Sequence, residues 1–140
     1  MAARRTLQVG VKAVIEDAQG RILMLRRSEP FLGQNIPRWD IPGGRIKVAE
    51  TMPEALAREI REETTMRLEE IGDVFYVQDI MHNPKLHVVR ITFLAKAKGS
   101  IKLSDAHSDY KWFAREDIPL GQADPFLVEA MQANDWIEAE

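Results

Sequence analysis

The sequence predicts a mixed α/β sandwich, with helices packed on a mostly antiparallel or mixed sheet. Three observations predict it. The chain has 140 residues, one domain's worth, and 1–140 is expected to form a single domain. Several β-rich segments are separated by Gly, Pro and Asn turns. Two further segments show apolar residues at helical spacing, each behind its own start signal.

In chain order, "LQVGVKAVIED" and "RILMLRR" flank a Gly-containing turn and read as a two-stranded hairpin. "SEPFLGQNIPR" is broken by Pro and Gly and reads as a loop, delivering the chain to "WDIPGG", a short strand ending in a turn. A second loop, "RIKVAE", leads to a helix announced by Thr51 as N-cap, Glu54 three residues on and Pro53 in the first turn. "DVFYVQDIM" and "LHVVRITFLAKA" are strands around "HNPK", and "YKWF" is another after the polar loop "SDAHSD". "ADPFLVEAMQANDWIEA" closes the chain as an amphipathic helix capped by Asp124, with Leu127, Ala130, Met131 and Ile137 on its apolar side.

Composition excludes several classes. Hydrophobic residues make up 45% and charged residues 29%, the balance of a soluble globular protein. Apolar runs are short and "MAARRTLQVG" lacks an apolar core, so neither a membrane span nor a signal peptide is expected, and cytoplasm is the default location. The absence of cysteine removes disulfides, thiolate metal sites and cysteine nucleophiles. The net charge of −3 is uneven: residues 1–49 carry nine Lys/Arg against four Asp/Glu, and residues 50–140 carry ten against eighteen. An acidic cation site beside basic groups suited to phosphate would explain that split, and so would ordinary surface segregation.

The sharpest feature is "EALAREIREETTM". At 100° per residue from Met52, Leu56 falls at about 40°, Ile60 at about 80° and Ala55 at about 300°, which defines the apolar stripe. Glu59 at about 340° and Glu63 at about 20° fall inside it, and Glu62 at about 280° lies at its edge. Burying unpaired carboxylates costs several kcal/mol, and the helix C-terminus disfavours negative charge further. A positive partner is therefore expected. Three clustered carboxylates are the ligand set of a hard divalent cation such as Mg²⁺, and an internal Arg or Lys is the alternative.

Gly44 to Met66, "GRIKVAETMPEALAREIREETTM", resembles the signature box of the Nudix hydrolases: Gly, five residues, Glu, seven residues, then Arg-Glu-aliphatic-x-Glu-Glu-x-Gly-aliphatic. Gly44, Glu50, Arg58, Glu59, Ile60, Glu62 and Glu63 match in register, and Met66 matches loosely. "WDIPGG", the preceding hairpin and "SDYKWFAREDIP" also look like that family. The departure is Thr65, which stands where the family has a helix-ending Gly. A left-handed Thr65 would carry strain of roughly 1 to 2 kcal/mol, and Thr65→Gly would then gain about 0.5 to 1 kcal/mol; if the helix instead runs on slightly and exits by another turn, Thr65→Gly would destabilise by about as much.

The resemblance implies an α/β/α sandwich with a mixed β-sheet between helices. It implies a hydrolase that cleaves a phosphoanhydride bond in a nucleoside diphosphate linked to another moiety, with Mg²⁺ or Mn²⁺. Glu59, Glu62 and Glu63 would be the catalytic and metal-holding carboxylates, with the Gly44 carbonyl near a further coordination site. Glu50 and Arg58 would clamp the box loop to the helix. The base would be Glu63 or a group of the later loop, with His107 the candidate beside Asp105 and Asp109. Arg26, Arg27, Arg38 and Arg45 would hold phosphates, with Arg26 and Arg27 at a strand end equally open to being solvated, and Trp39 and Phe31 would stack a base or, as aromatics before a buried turn, belong to the core. His82 and His87 lack zinc-ligand spacing and read as non-catalytic. The expected partner is a small nucleotide rather than nucleic acid or membrane, with a homodimer common among such proteins. A Nudix-like module that binds a nucleotide without cleaving it is the alternative.

Overall fold

The computed structural model of the protein describes residues 4–29 and 38–138. Strand β1 (Thr6–Ile15) is β-branched and apolar because both its faces are covered, and both its edges are paired as well. It runs parallel to β6 (Leu86–Lys98) over ten residues and antiparallel to β4 (Gly43–Arg45). With β5 (Arg67–Ile80) beside β6, the order is β4-β1-β6-β5, a mixed sheet. A second, antiparallel sheet has the order β3-β2-β7, from β2 (Ile22–Arg27), β3 (Trp39–Asp40) and β7 (His107–Phe113).

Alternation along β1 and β2 divides the core in two. Val11, Ala13, Ile15, Leu23 and Leu25 pack with Ala55, Leu56 and Ile60 of helix α1 (Met52–Thr64). Val14, Ile22 and Met24 face the other way, onto Phe75, Phe113 and Leu127, Ala130 and Met131 of helix α2 (Pro125–Ala133). The result is the expected sandwich, with a helix on each side of the strands.

Helix starts follow their sequence signals. Thr51 and Glu54 form the reciprocal capping box, and the Asp124 carboxylate accepts the N–H groups of Phe126 and Leu127. The exit from α1 also takes the expected form: Thr65 is left-handed at φ 63°, its N–H donating to Arg61 O and its hydroxyl to Ser100 O at 2.9 Å.

Four expectations are corrected. The two N-terminal strands exist but are not paired as a hairpin; they meet only at the Glu16–Ile22 bridge, because β4 and β6 occupy the edges of β1. The "RIKVAE" loop begins in strand, since Arg45 ends β4. Helix α2 stops at Ala133, where Asn134 and the left-handed Asp135 turn the chain, so Ile137 reaches the core from beyond the helix. His107 opens β7 instead of lying in a loop.

Candidate active site

Gly43 and Gly44 divide the site into an acidic rim and a cationic cleft. A Cβ on Gly43 would collide with the Val11 carbonyl, and one on Gly44 would lie 2.5 Å from the Glu59 carboxyl carbon. Only glycine lets β4 press onto β1 on one side and onto a carboxylate on the other.

On the acidic side, Arg58 organises the box. It donates from Nε and Nη2 to both oxygens of Glu50 at 2.7 and 2.9 Å, and from Nη2 to the Arg45 carbonyl at 3.0 Å. The fork holds the Glu50 carboxyl down to about 2, helped by the Lys47 N–H. Nη1 reaches Glu59 at 2.9 Å and Glu62 at 3.3 Å. Part of the positive charge expected inside the stripe is therefore this arginine.

Glu63 is different. Its side chain is 14% exposed, and its Oε1 accepts the Gly43 N–H at 2.8 Å. Burial pushes its carboxyl up to about 7, opposed by the charge of Lys12 and the Gly43 N–H and reinforced by Glu59 and Asp40. His107 Nε2 lies 3.7 Å from Glu63 Oε2. Burial pushes that imidazole down to about 4, with Lys12 and Arg27 adding to the shift, so it is neutral at pH 7 and brings Glu63 no charge. The fold brings this pair together through the last carbonyls of α1. Lys102 N–H caps Thr64 O and Ser104 N–H caps Glu63 O, drawing the 102–107 segment against the helix end. Asp105 and Asp109 are exposed.

Beyond the glycines opens a cleft of about 400 Å³, lined by Lys12, Arg27, Arg45 and Arg90, and toward its far end by Ile80, His82, Leu86, Val88 and Phe126. Two wholly buried carboxylates support the cations from behind. Asp40 Oδ2 accepts Lys12 Nζ at 3.0 Å and Arg27 Nη2 at 2.6 Å. Burial alone would raise this carboxyl, but Lys12, Arg27 and Arg90 hold it well below the ordinary range. Asp124 lies 3.6 Å from Arg27 and 3.7 Å from Arg90, and burial with the nearby Asp40 charge pushes it up to about 6. The cations face the cleft while their counter-charges do not, so the face offered to a ligand is positive. The Arg90 guanidinium lies 5.5 Å from the Phe126 ring, and the His82 ring faces the same phenyl at 6.0 Å.

The residues predicted for phosphate and base binding thus separate. Arg27 and Arg45 line the cleft; Arg26 and Arg38 do not, Arg38 donating instead to the Ala123 carbonyl at 3.3 Å. Trp39 is corrected outright. It is 9% exposed in the core with its ring edge-on to Phe113, so it cannot stack a base. Phe31 lies outside the described residues. Sequence reasoning missed Lys12 and Arg90, whose signal was a lone cation inside an apolar strand, "VGVKAVI" and "HVVRITF". It also missed Phe126, and it set His82 aside.

Comparison with known proteins agrees with this architecture. A MutT-like protein from Streptomyces ambofaciens is 26% identical over 128 residues, covering 91% of this chain and 77% of that one. An ADP-ribose pyrophosphatase from Methanocaldococcus jannaschii is 30% identical over 114 residues, with 79% of this chain spanning 64% of its length. The crystal structure of a MutT protein from Methanosarcina mazei Go1 superimposes with a TM-score of 0.79 at 30% identity, covering 94% of each chain. The family model of the NUDIX domain matches residues 6–133, the first residue of β1 to the last of α2. The chain belongs to the NUDIX domain family.

Proposed function

We propose that the protein hydrolyses a phosphoanhydride bond in a nucleoside diphosphate linked to another moiety, with Mg²⁺ or Mn²⁺ as cofactor. The observation that carries this reading is the apposition, across Gly43 and Gly44, of the inward-facing carboxylates Glu59 and Glu63 with a cleft lined by Lys12, Arg27 and Arg90. An acidic rim suits a cation and the cleft suits the phosphates that share it.

The donor chemistry fits a hard divalent ion. Glu59, Glu62 and Glu63 would hold it with oxygen alone, and the Gly44 carbonyl would complete the set. Glu62 is turned to Arg58, and among the described residues no three acidic, His or Cys groups are gathered as a metal site. Glu59 and Glu62 both accept from Arg58 Nη1, so a bound ion would share these carboxylates with Arg58 or displace it. When bound, the ion offsets phosphoryl charge and lowers the pKa of the attacking water. Glu63, held against the Gly43 N–H rather than bonded to Arg58, is the carboxylate offered to accept that water's proton. Lys12, Arg27, Arg45 and Arg90 hold the phosphates, and the Phe126 and His82 end receives the nucleoside. Arg58 and Glu50 keep the box loop on the helix.

ADP-ribose and nucleoside triphosphates are the first substrates to try, since the archaeal relative is an ADP-ribose pyrophosphatase. The test incubates these, dinucleoside polyphosphates and nucleotide sugars with protein and Mg²⁺ and resolves the products to show which bond was cut. Turnover should vanish on chelation, and Glu63→Gln should lower kcat by on the order of 10² to 10⁴. Turnover that survives complete chelation contradicts the proposal.

A further inference from the structure

One wall of the cleft is the turn joining β5 to β6, which contributes Ile80, His82, Asn83 and Leu86. Its internal bonds are few: Leu86 N–H donates to Asn83 O at 3.0 Å, and Lys85 N–H donates to Asn83 Oδ1 at 2.9 Å. A distant residue adds three more. Arg5 Nη1 lies 3.1 Å from Met81 O, 3.1 Å from Asn83 O and 3.0 Å from Leu86 O. That nitrogen carries two hydrogens, so three carbonyls share them, and its fixed charge strengthens each bond. Next to it, Thr6 N–H donates to Lys85 O at 2.9 Å, where the parallel ladder of β1 and β6 begins with Thr6 opposite Leu86.

A simple strand fastener would need only the Thr6 bond and the ladder. The Arg5 contacts do something else: they draw carbonyls from the start, the middle and the end of the turn onto one atom, which closes it. In that closed form the His82 ring lies against Phe126.

We propose that Arg5 is a positioning residue, which holds the 81–86 turn closed so that the wall of the cleft is pre-formed for the nucleoside part of the substrate. The proposal rests on the reading of the cleft given above. Arg5 is not among the groups lining the cleft and acts through His82 and Asn83. Without it, only a fraction of molecules presents the closed wall, and apparent affinity falls by that fraction. Bond cleavage at the Gly43–Gly44 end is unaffected.

The experiment compares parent, Arg5→Ala and Arg5→Lys with the nucleotide the parent turns over best. It measures kcat, KM, amide hydrogen exchange across 81–86, and binding of the four nucleoside monophosphates by calorimetry. Arg5→Ala should raise KM and the monophosphate Kd by roughly 5- to 20-fold, about the worth of a single hydrogen bond. Its kcat should stay within about twofold and its turn amides should exchange faster. Arg5→Lys, whose ammonium keeps the charge and offers three donors for the three carbonyls, should recover most of the affinity. Unchanged KM and Kd in Arg5→Ala overturn the proposal whatever the exchange shows, and so does a fall in kcat larger than the rise in KM. A parent that neither turns over nor binds any nucleotide overturns the reading of the cleft as well, whereas a parent that turns over with KM indifferent to Arg5 overturns this proposal alone.

Discussion

Asp40 is wholly buried and Glu63 largely so, and the two lie close enough to feel each other's charge, yet they stand in opposite states. Asp40 accepts two cations at hydrogen-bond distance and is held anionic. Glu63 accepts one neutral N–H, faces an uncharged histidine, and is pushed up to about 7. Burial is common to both, so the partner decides the state. The satisfied carboxylate belongs to the scaffold. The unsatisfied one is where the protein holds charge it has not neutralised, and such a group is suited to take up a cation or a proton.

The two also differ in sign against pH. Asp40, with its folded pKa depressed, contributes stability that is present above the ordinary carboxylate range and lost as pH falls below it. Glu63, with its folded pKa raised, favours the folded protein while protonated, so its contribution declines as pH rises from about 4.5 to about 7.

The largest break in the comparison comes from Asp40→Asn, which removes the counter-charge that the buried Lys12 shares with the partly buried Arg27. It should destabilise by about 3 to 5 kcal/mol at pH 7 in chemical denaturation. A loss under about 1 kcal/mol would make Asp40 as expendable as a surface partner.

A smaller effect is expected at His107. Because it is neutral and beyond hydrogen-bond reach of Glu63, His107→Ala should lower kcat by less than about 10², the low end for a general base and below the loss from Glu63→Gln. The reverse order in parallel assays would transfer the proton-accepting role to β7.

Thr65→Gly should have the smallest effect. The left-handed Thr65 carries strain of roughly 1 to 2 kcal/mol, but its hydroxyl bond to Ser100 O is worth about 0.5 to 1.5 kcal/mol and glycine adds unfolded-state entropy. The net change should lie within about 0.5 kcal/mol, below the gain that strain alone suggests. Denaturation midpoints at unchanged slope measure it.

Local signals carried well from sequence to structure. The stripe of Ala55, Leu56 and Ile60, the Thr51 box, the Asp124 cap and the left-handed Thr65 each depend on neighbours a few residues away. What stayed hidden depends on distant partners. The two N-terminal strands have hairpin chemistry, but pairing goes to whichever strands occupy their edges, and β1 is claimed by β4 and β6. Lys12 and Arg90, lone cations in apolar strands, were passed over in the sequence because their meaning comes from Asp40 and Asp124, delivered by a strand and a helix cap elsewhere. Arg58 was assigned to Glu50, and its i,i+4 spacing also offered Glu62, but its hold on Glu59 emerged only with side chains in place.

The central claim, that Glu63 is a buried charge still wanting its positive partner, is tested most directly by comparing the stability of parent and Glu63→Gln across pH in chelator and then in Mg²⁺. Gln keeps an acceptor for the Gly43 N–H and removes the charge. The account predicts near-equal stability at about pH 4.5, a gap favouring Glu63→Gln that widens to on the order of 2 kcal/mol by pH 7.5 in chelator, and a gap that closes or reverses when Mg²⁺ is added. A metal-free Glu63→Gln protein that is less stable than the parent at pH 7.5, with no dependence on Mg²⁺, would show that Glu63 already has its partner and would contradict the account.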